Sequence, residues 1–412
     1  MLSGVAGRCG NQPVMSIYRK WGVEPIINVS GNVTRLGGAP LPQAVLDAFC
    51  AAAQESVPLD QLQGAASRVI AETTGAEAGL VTSGAAAALT LGTAAILAGD
   101  NLRRIEQLPH CDFPCEFIIP REQRNGYDHA IRAAGARLVE VGFHEIVAGA
   151  GVRRCEAWEI AAAIGPQTAG VVYVYDQHAR PPLAEVVAVA HEHKLPVLVD
   201  AAGEVPPREH LRSIIAAGAD LVAISGGKGL RGPQASGILC GRRDLIGSAA
   251  LQMLDMDDHF ELWEPPSNLI DKSRLPGMPR HGIGRAMKVS KEQIVALLTA
   301  LELYTSGAYE PHRDQMQRHL QRVVDALDGL PVCSQIVVPA DGESAPTLEL
   351  SVNESRLGRT AFEVCRRLRH GSPPIYVGHG QLDQGRLVIH PIHLNEERTT
   401  ALVGRLREEL SR

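Results

Sequence analysis

The sequence predicts an α/β domain with a mostly parallel sheet, followed by a smaller domain of mixed helices and strands. Between residues 75 and 250, short apolar segments typical of buried strands alternate with alanine-rich segments typical of helices. Such alternation indicates a parallel sheet with helices on both faces. The chain then becomes rich in proline, and a long helix is predicted from about Lys288 to Tyr304. We therefore divide the chain into an N-terminal segment (1–50), a large domain (51–285) and a small C-terminal α+β domain (286–412).

The strands of the large domain are predicted where valine, isoleucine and leucine cluster between turn-forming residues. These segments are 79–82, 116–119, 138–141, 170–175, 196–200, 220–224 and 236–240. Helices are predicted between them at 85–97, 129–134, 183–193 and 208–217. In sheets of this kind ligands bind beyond the carboxyl ends of the strands. Polar residues that directly follow a strand are therefore the first candidates for function.

Composition narrows the class of protein. The chain has 412 residues, of which 45% are hydrophobic, and a formal net charge of −6. No block of basic residues offers a surface for nucleic acid. No apolar run has the length of a signal peptide core or a membrane span, and the eight cysteines are spread along the chain. We expect a cytoplasmic enzyme that acts on a small molecule, without a disulfide framework.

Three chemical signals follow strands of the large domain. The first is the run Val81 to Ala87, where a strand breaks at Ser83-Gly84 and an alanine-rich helix begins at Ala85. Free N–H groups at a helix start, together with a serine hydroxyl, can hold a phosphate group. A serine and glycine before a helix are more often a simple helix cap, so this signal alone is weak.

The second signal is Asp200, which ends the predicted strand 196–200. A carboxylate in this place can hold a protonated ring nitrogen of a cofactor. The third signal is Lys228 in the run Ser225-Gly-Gly-Lys-Gly-Leu-Arg231 after the next strand. A lysine among glycines can form a Schiff base with an aldehyde. The run does not match the nucleotide-binding loop, because Gly229 rather than a hydroxyl residue follows the lysine.

The order of these signals, together with three runs of sequence, resembles a known family. The runs are 28–38, 74–86 and 225–234. They resemble the SelA-like (selenocysteine synthase-like) group of fold type I, aminotransferase-like enzymes, and within it the D-glucosaminate-6-phosphate ammonia-lyase branch. The resemblance extends from about residue 16 to the carboxyl end. It implies pyridoxal 5'-phosphate as the cofactor and an active site built at a homodimer interface or in a larger homo-oligomer.

The resemblance also implies roles for single residues. Lys228 would carry the cofactor as a Schiff base and Asp200 would pair with its pyridine nitrogen. The cofactor phosphate would be held by Ser83, Gly84, Ala85 and Ser225. The residue that stacks on the ring is left open between Gln123, Arg124 and His129, with His129 first because imidazole can stack. The sequence lacks the additional N-terminal domain and arginines of selenocysteine synthase proper, so chemistry on a transfer RNA is not expected.

An acidic substrate would need cationic partners, and guanidinium groups suit carboxylate or phosphate. Candidates for substrate contact are Thr34, Arg35, Arg231, Arg285 and Arg386, although Arg285 and Arg386 suit surface ion pairs equally well. No metal site is predicted. Cys111 and Cys115 have no second pair of ligands, and the acidic turn 255–259 serves no step of the expected reaction.

The cofactor class leaves several reactions open. With Lys228 as the base for the Cα proton, loss of a β-hydroxyl from a hydroxy amino acid or amino sugar acid would give a 2-oxo acid and ammonia. By resemblance, this β-elimination by a lyase is the leading hypothesis. Racemisation or epimerisation, aldol cleavage and transamination use the same groups. A relative that binds the cofactor without catalysis is the alternative from another class, and the retention of Ser83, Asp200 and Lys228 argues against it.

Overall fold

The computed structural model describes residues 16–143 and 154–411. They form two compact units. The larger unit contains the described residues between 32 and 313 together with 339–344. The smaller unit contains the described residues up to 31 together with 314–338 and 345–411. Among the described residues, no helix is both long and apolar enough to span a membrane.

The strands, in chain order, are β1 Ile27–Val29, β2 Ala78–Thr82, β3 Glu116–Pro120, β4 Arg137–Val141, β5 Thr168–Val174, β6 Val197–Asp200, β7 Leu221–Ser225, β8 Gly237–Gly241, β9 Val332–Val337, β10 Thr347–Val352, β11 Ile375–Val377 and β12 Arg386–Ile389. The helices are α1 Gln43–Ala52, α2 Leu59–Thr74, α3 Ala85–Ala98, α4 Leu102–Gln107, α5 Asp128–Ala133, α6 Ala157–Ala163, α7 Leu183–Glu192, α8 His210–Ala216, α9 Arg243–Met253, α10 Lys291–Thr305, α11 Glu310–Ala326, α12 Glu354–Leu357, α13 Ala361–His370 and α14 Glu396–Leu410.

The large unit is built on a seven-stranded sheet in the order β2-β8-β7-β6-β5-β3-β4. The pairs from β7 through β6, β5 and β3 to β4 are parallel, and only β8 runs against its neighbours. Strands β2, β6 and β8 are buried along their whole length, as expected for a sheet covered on both faces. The predicted α/β fold with a mostly parallel sheet is confirmed.

Small residues let helix α3 lie close to the middle of this sheet. The helix is apolar on all sides and almost entirely buried, which is typical of a core helix. A Cβ atom at Gly92 would lie 3.0 Å from Leu198 Cδ1 and 3.3 Å from the Cδ1 atoms of Leu221 and Leu239. The glycine therefore faces the leucines of three adjacent strands, and its lack of a side chain lets the helix lie close to the sheet.

The compact units are discontinuous in sequence, whereas the division at residues 50 and 285 gives consecutive segments. Helices α1 and α10 pack against each other within the large unit, through a small core that includes Val45, Ala296 and Ala300. This packing places residues 32–50 and 286–313 with the large sheet. Apolar periodicity predicts helix α10 but does not tell which domain the helix packs against.

The small unit has its own core. Strands β12, β10 and β9 form an antiparallel sheet, and β1 pairs in parallel with β11. Buried and partly exposed residues alternate along β10, so one face of this sheet is covered. The core includes Leu320, Leu348, Leu387, Leu402 and Leu406.

Leu198→Ala tests the contact between α3 and the sheet. Leu198 is fully buried in β6, and truncating such a leucine costs about 2–5 kcal/mol of stability. The midpoint of urea unfolding should fall accordingly. Leu262, which is 71% exposed, is the matched control, and Leu262→Ala should change stability by less than about 0.5 kcal/mol. Equal losses in the two variants would contradict the packing described here.

Candidate active site

The predicted chemical signals meet at one edge of the large sheet. Asp200 ends β6, Ser225 ends β7 and Thr82 ends β2. Strand β8 starts at this edge, and its first residue, Gly237, pairs with Thr82 on one side and with Ser225 on the other. The parallel pairing of β6 with β7 brings Asp200 to the same edge. Ligands bind at this edge in parallel α/β sheets.

The start of α3 forms one side of this edge. Gly84, with φ of 129°, precedes the helix and provides no side chain to cap it. The N–H groups of the first turn have no acceptor within the helix. Thr82 Oγ1 donates a hydrogen bond to Gly84 O at 2.9 Å, and Ser83 Oγ donates to Met287 O at 3.0 Å. Free N–H groups and the positive end of the helix dipole together favour an anion here.

A glycine on the neighbouring strand makes this arrangement possible. A Cβ atom at Gly237 would lie 2.6 Å from the carbonyl carbon of Gly84 and 2.8 Å from Ala85 N. Real Cβ atoms do not approach backbone this closely. The start of α3 therefore lies directly on the backbone of β8. The Ser225 hydroxyl, one strand further along, makes no hydrogen bond with the described residues and can take part in the same anion site.

Asp200 is a buried carboxylate, only 8% exposed. Its Oδ1 atom accepts a hydrogen bond from Ala202 N at 3.0 Å. Burial raises the pKa of Asp200, while this N–H group and the charge of Lys228 oppose the shift. A desolvated carboxylate favours a cationic neighbour, such as a protonated ring nitrogen.

Lys228 lies in a loop held tightly from both sides. A Cβ atom at Gly227 would lie 2.6 Å from Gln234 Cα, and one at Gly229 would lie 2.0 Å from Val205 O. The glycines therefore fix the loop that carries the lysine. A Cβ atom at Gly203 would lie 3.6 Å from Lys228 Nζ, so the lysine reaches the loop after β6. Within residues 16–143 and 154–411 its Nζ atom makes no hydrogen bond or ion pair, so no neighbouring side chain holds it away from a ligand.

Glu204 is a site residue to which the sequence analysis assigned no role. It follows Asp200 by four positions and is partly buried. Burial and the charge of Asp176 raise its pKa, and the charges of His210 and Lys228 oppose this. Its carboxylate has no hydrogen-bond partner in the described part of the chain. The sequence feature that could have identified Glu204 is its position in the loop that follows Asp200.

The candidates for ring stacking occupy different places. Gln123 is buried after β3, and its Oε1 atom accepts a hydrogen bond from Val174 N at 2.9 Å. Because Val174 pairs with Asp200, Gln123 lies at the catalytic edge. Its Nε2 atom is buried without a partner among the described residues. Arg124 forms ion pairs with Asp128 and Glu140.

His129 lies near the start of α3. It is exposed on α5 and lines a cavity of about 340 Å³, together with Ala86, Ala87, Tyr127 and Met287. The preference for His129 as the stacking residue stays a prediction. Gln123, with its unsatisfied amide beside the strand of Asp200, is the stronger of the candidates on structural grounds.

The substrate candidates fall into separate groups. Thr34 and Arg35 are exposed in the large unit, where Gln234 Nε2 donates a hydrogen bond to Thr34 O at 2.6 Å. Arg231 Nε donates to Pro40 O at 3.3 Å, so residues 34–40 lie against the segment that follows Lys228. Arg386 is in the small unit and lies 3.5 Å from Glu349.

Arg285 lies beside an exposed acidic cluster. Its guanidinium pairs with Asp255. Possible ligand atoms of Asp255, Asp257 and His281 lie within 4.8 Å of one another. All three residues are exposed, and acidic groups on a surface commonly cluster without an ion. The sequence leaves Arg285 open between a substrate contact and a surface ion pair, and in this structure it forms the ion pair.

The groups at the edge of the sheet fit the cofactor implied by the sequence. The helix start suits a phosphate, the buried Asp200 suits a protonated ring nitrogen, and the Lys228 amine suits an aldehyde. The unsatisfied Gln123 amide and the close approach that Gly237 permits are the structural observations that support the fit. A pyridine ring bearing an aldehyde and a phosphate satisfies all of these groups together.

Comparison with known proteins gives the same result. The family model described as L-seryl-tRNA selenium transferase (SelA) matches residues 26–256, and the model described as aminotransferase class V matches residues 159–356. A Streptomyces protein named 5'-C-glycyluridine monooxygenase-decarboxylase is 33% identical, and the alignment covers 95% of this chain and 92% of that protein. The D-glucosaminate-6-phosphate ammonia lyase of Salmonella typhimurium is 30% identical, with 95% and 97% covered.

Solved structures resemble the chain along almost its whole length. The structure of a D-glucosaminate-6-phosphate ammonia-lyase has a TM-score of 0.79 and 29% identity, and the match covers 96% of this chain and 98% of that one. A cysteine desulfurase from Thermococcus onnurineus, at 15% identity and a TM-score of 0.52, shares the fold. The chain belongs to the SelA family, and it is a fold type I enzyme whose cofactor is pyridoxal 5'-phosphate.

Proposed function

We propose that this protein is a pyridoxal-phosphate-dependent lyase that eliminates water from a hydroxy amino acid or amino sugar acid, giving a 2-oxo acid and ammonia. The observation that carries the proposal is the Lys228 Nζ atom, which has no partner among the described residues, near two buried or partly buried carboxyl groups, Asp200 and Glu204. Such a set provides a base, a partner for the ring nitrogen and a second acid. The full-length relative named as an ammonia lyase supports this reaction type.

This chain would hold the cofactor at its ring nitrogen and at its phosphate. Asp200 would keep the ring nitrogen protonated, and Gln123 or His129 would contact the ring. The phosphate would be bound by Ser225 and by Ser83, Gly84 and Ala85 at the start of α3. When bound, pyridoxal phosphate supplies an aldehyde that joins Lys228 as a Schiff base and a ring that withdraws electrons from the substrate Cα.

Two proton transfers would then be made by the chain. Lys228 Nζ, freed when the substrate amine takes its place, removes the proton from the substrate Cα. Glu204, which retains its proton to higher pH than an ordinary glutamate, gives that proton to the departing β-hydroxyl, which leaves as water. The enamine product is released, takes up a proton at its β-carbon, and hydrolyses to the 2-oxo acid and ammonia. Asp200 would stay paired with the ring nitrogen throughout.

A second relative, similar to this chain in sequence to about the same degree, suggests a different reaction. The Streptomyces protein is named a monooxygenase-decarboxylase, so loss of a carboxylate with consumption of oxygen is an alternative on the same site. Both outcomes begin with an amino acid whose amine replaces Lys228. They differ in which bond at Cα is broken, which depends on how the substrate is oriented.

We propose further that the active enzyme is a cytoplasmic homodimer. The resemblance to enzymes whose site lies at a subunit interface supports assembly, and large exposed apolar side chains such as Trp21 offer contact area. The described cysteines form no disulfide, which suits a reducing compartment. The substrate would be a small molecule, contacted by Thr34 and Arg35, and the contact expected for Arg386 stays a prediction. Light scattering of the purified protein would measure the oligomeric state.

Gly237→Ala tests the anion site at the start of α3. The added Cβ atom would overlap the backbone at Gly84 and Ala85, so the N–H groups would move away from the phosphate. Loss of one hydrogen bond to a charged group costs about 1.5–3 kcal/mol, so cofactor affinity should fall roughly tenfold or more. Gly165, around which a Cβ atom would meet nothing within 4 Å, provides the control variant Gly165→Ala. Unchanged affinity in Gly237→Ala would place the phosphate elsewhere.

Lys228→Ala tests the central role of the lysine. The wild-type holoenzyme should be yellow, and a panel of D- and L-hydroxy amino acids and amino sugar acids should yield a 2-oxo acid and ammonia from at least one member. Turnover in Lys228→Ala should fall by roughly 10²–10⁴ or more, the usual contribution of a general base. Lys194→Ala changes an exposed lysine and should have full activity. Release of carbon dioxide with oxygen consumption, an aldehyde or an inverted isomer would identify one of the other reactions.

Glu204→Gln tests the second acid through the pH profile. Because Glu204 must be protonated to act, turnover should decline as the pH rises through its raised pKa. The glutamine variant should lose this decline, and its turnover at lower pH should be roughly 10²-fold below that of the wild type. Glu209→Gln changes an exposed neighbour and should retain the wild-type profile. A decline that persists unchanged in Glu204→Gln would assign the proton to another group.

A further inference from the structure

Arg231 is a partly buried cation held among uncharged groups. Its Nε atom donates to Pro40 O at 3.3 Å, and Nη1 lies 3.4 Å from His312 Nδ1. The guanidinium carbon lies 4.9 Å from the centre of the Tyr309 ring. The Tyr309 hydroxyl donates to Leu230 O at 3.1 Å, which fixes the ring beside the guanidinium. The side chain is therefore positioned firmly without any charged partner.

The charge of Arg231 is not compensated within the described residues. No aspartate or glutamate of residues 16–143 or 154–411 forms an ion pair with it. Burial raises the pKa of Tyr309 to about 12, so its phenol stays neutral. Burial and the charge of Arg231 lower the pKa of His312, which keeps that imidazole neutral as well. A buried charge without a partner is costly, and an anionic ligand would remove the cost.

The donors that remain on Arg231 suit a planar anion. A guanidinium carries five N–H groups, and the contacts with Pro40 and His312 use one on Nε and one on Nη1. The Nη2 atom has no hydrogen-bond partner among the described residues. Two adjacent N–H groups, one on each terminal nitrogen, are thus available to bind the two oxygens of a carboxylate together.

The backbone at Arg231 shows that this placement is specific. Its φ is +58°, in the left-handed region that residues other than glycine, asparagine and aspartate rarely adopt. Arg231 N donates to Lys228 O at 3.0 Å, so the two residues close one turn. Backbone conformations of this kind are often retained at functional sites. The arginine is thereby tied to the lysine that takes the substrate amine.

We infer that Arg231 is the substrate-carboxylate site of this enzyme, and that it selects substrates with a free carboxylate attached to the carbon that bears the amine. The inference rests on the proposed function in requiring that an amino acid replaces Lys228. It does not depend on which bond is then broken. Arg231 would bind the carboxylate bidentately. The uncharged side chains of Tyr309 and His312 would position its guanidinium.

The test compares ligands that differ only at the carboxylate. The holoenzyme is titrated with D- and L-alanine and with the matching alaninamides, and the visible absorbance of the cofactor reports binding of the amine. Alanine has no β-hydroxyl, so water cannot be eliminated during the measurement. The wild type should bind the preferred alanine roughly tenfold or more tightly than its amide, as expected for a charge-assisted bidentate contact.

Arg231→Asn removes the charge with a residue that tolerates the left-handed backbone. It should weaken alanine binding roughly tenfold and leave alaninamide binding within about twofold. Arg231→Lys retains the charge without the planar fork, and its affinity for alanine should lie between the two. Arg103→Asn, at an arginine whose side chain is 80% exposed, should match the wild type with both ligands. Melting temperatures of all variants separate loss of the contact from loss of the fold.

Several results would overturn the inference. Equal weakening of alanine and alaninamide in Arg231→Asn would make the arginine a structural residue. Tighter binding of phosphoethanolamine than of alanine, lost in Arg231→Asn, would assign the site to a substrate phosphate instead. If the variants behave as expected but no substrate releases ammonia, the carboxylate site stands and the proposed elimination fails. A wild type that does not distinguish alanine from alaninamide contradicts the site directly.

Discussion

The edge of the large sheet at which Asp200 and Ser225 end their strands depends on one contact between two backbones. These are the backbone at the start of α3 and the backbone of β8. Gly237 permits this contact, since any side chain there would overlap Gly84 and Ala85. Gly92 permits the corresponding approach at the middle of the helix, where leucines of three strands surround it. The helix is therefore seated on the sheet at two points. As a result its free N–H groups point to the same edge as Asp200 and the lysine loop.

Charge is distributed unevenly around that edge. Asp200 and Glu204 lie close enough to Lys228 to interact with its charge. Arg231, which closes one turn with Lys228, has no acidic partner among the described residues. A zwitterionic amino acid matches this arrangement, because its amine and its carboxylate carry opposite charges on groups bonded to the same carbon. The enzyme thus presents complementary charge to the part of the substrate that all reactions of this cofactor class share.

Much of the large sheet could be predicted from the sequence because its strands are short, apolar and bounded by turns. Strand β7, for example, is predicted at 220–224 and observed at Leu221–Ser225. The signals at Ser83, Asp200 and Lys228 could be found because each directly follows a strand, and parallel strands bring their carboxyl ends together. The assignment of α10 to a domain could not be predicted, since its buried alanines suit either neighbour.

Other features of the site could not be predicted from the sequence for reasons of geometry. Gln123 lies at the site because β5 extends beyond the end of β3. Val174 N therefore has no strand partner there and donates to the Gln123 side chain instead. Glu204 depends on how the loop after β6 folds back towards Lys228. The sequence suggested Arg231 as a substrate contact. It could not show that the guanidinium has no acidic partner within residues 16–143 and 154–411 or that its backbone is left-handed.

The left-handed backbone at Arg231 has a consequence for how this family can change. Only a few residue types are compatible with that conformation, and glycine is the one that fits it without strain. An exchange between arginine and glycine requires one nucleotide change in the genetic code and leaves the path of the main chain intact. The turn next to Lys228 can thus gain or lose a positive charge in a single evolutionary step. Preference for acidic or neutral substrates could diverge rapidly among related enzymes while the cofactor site remains the same.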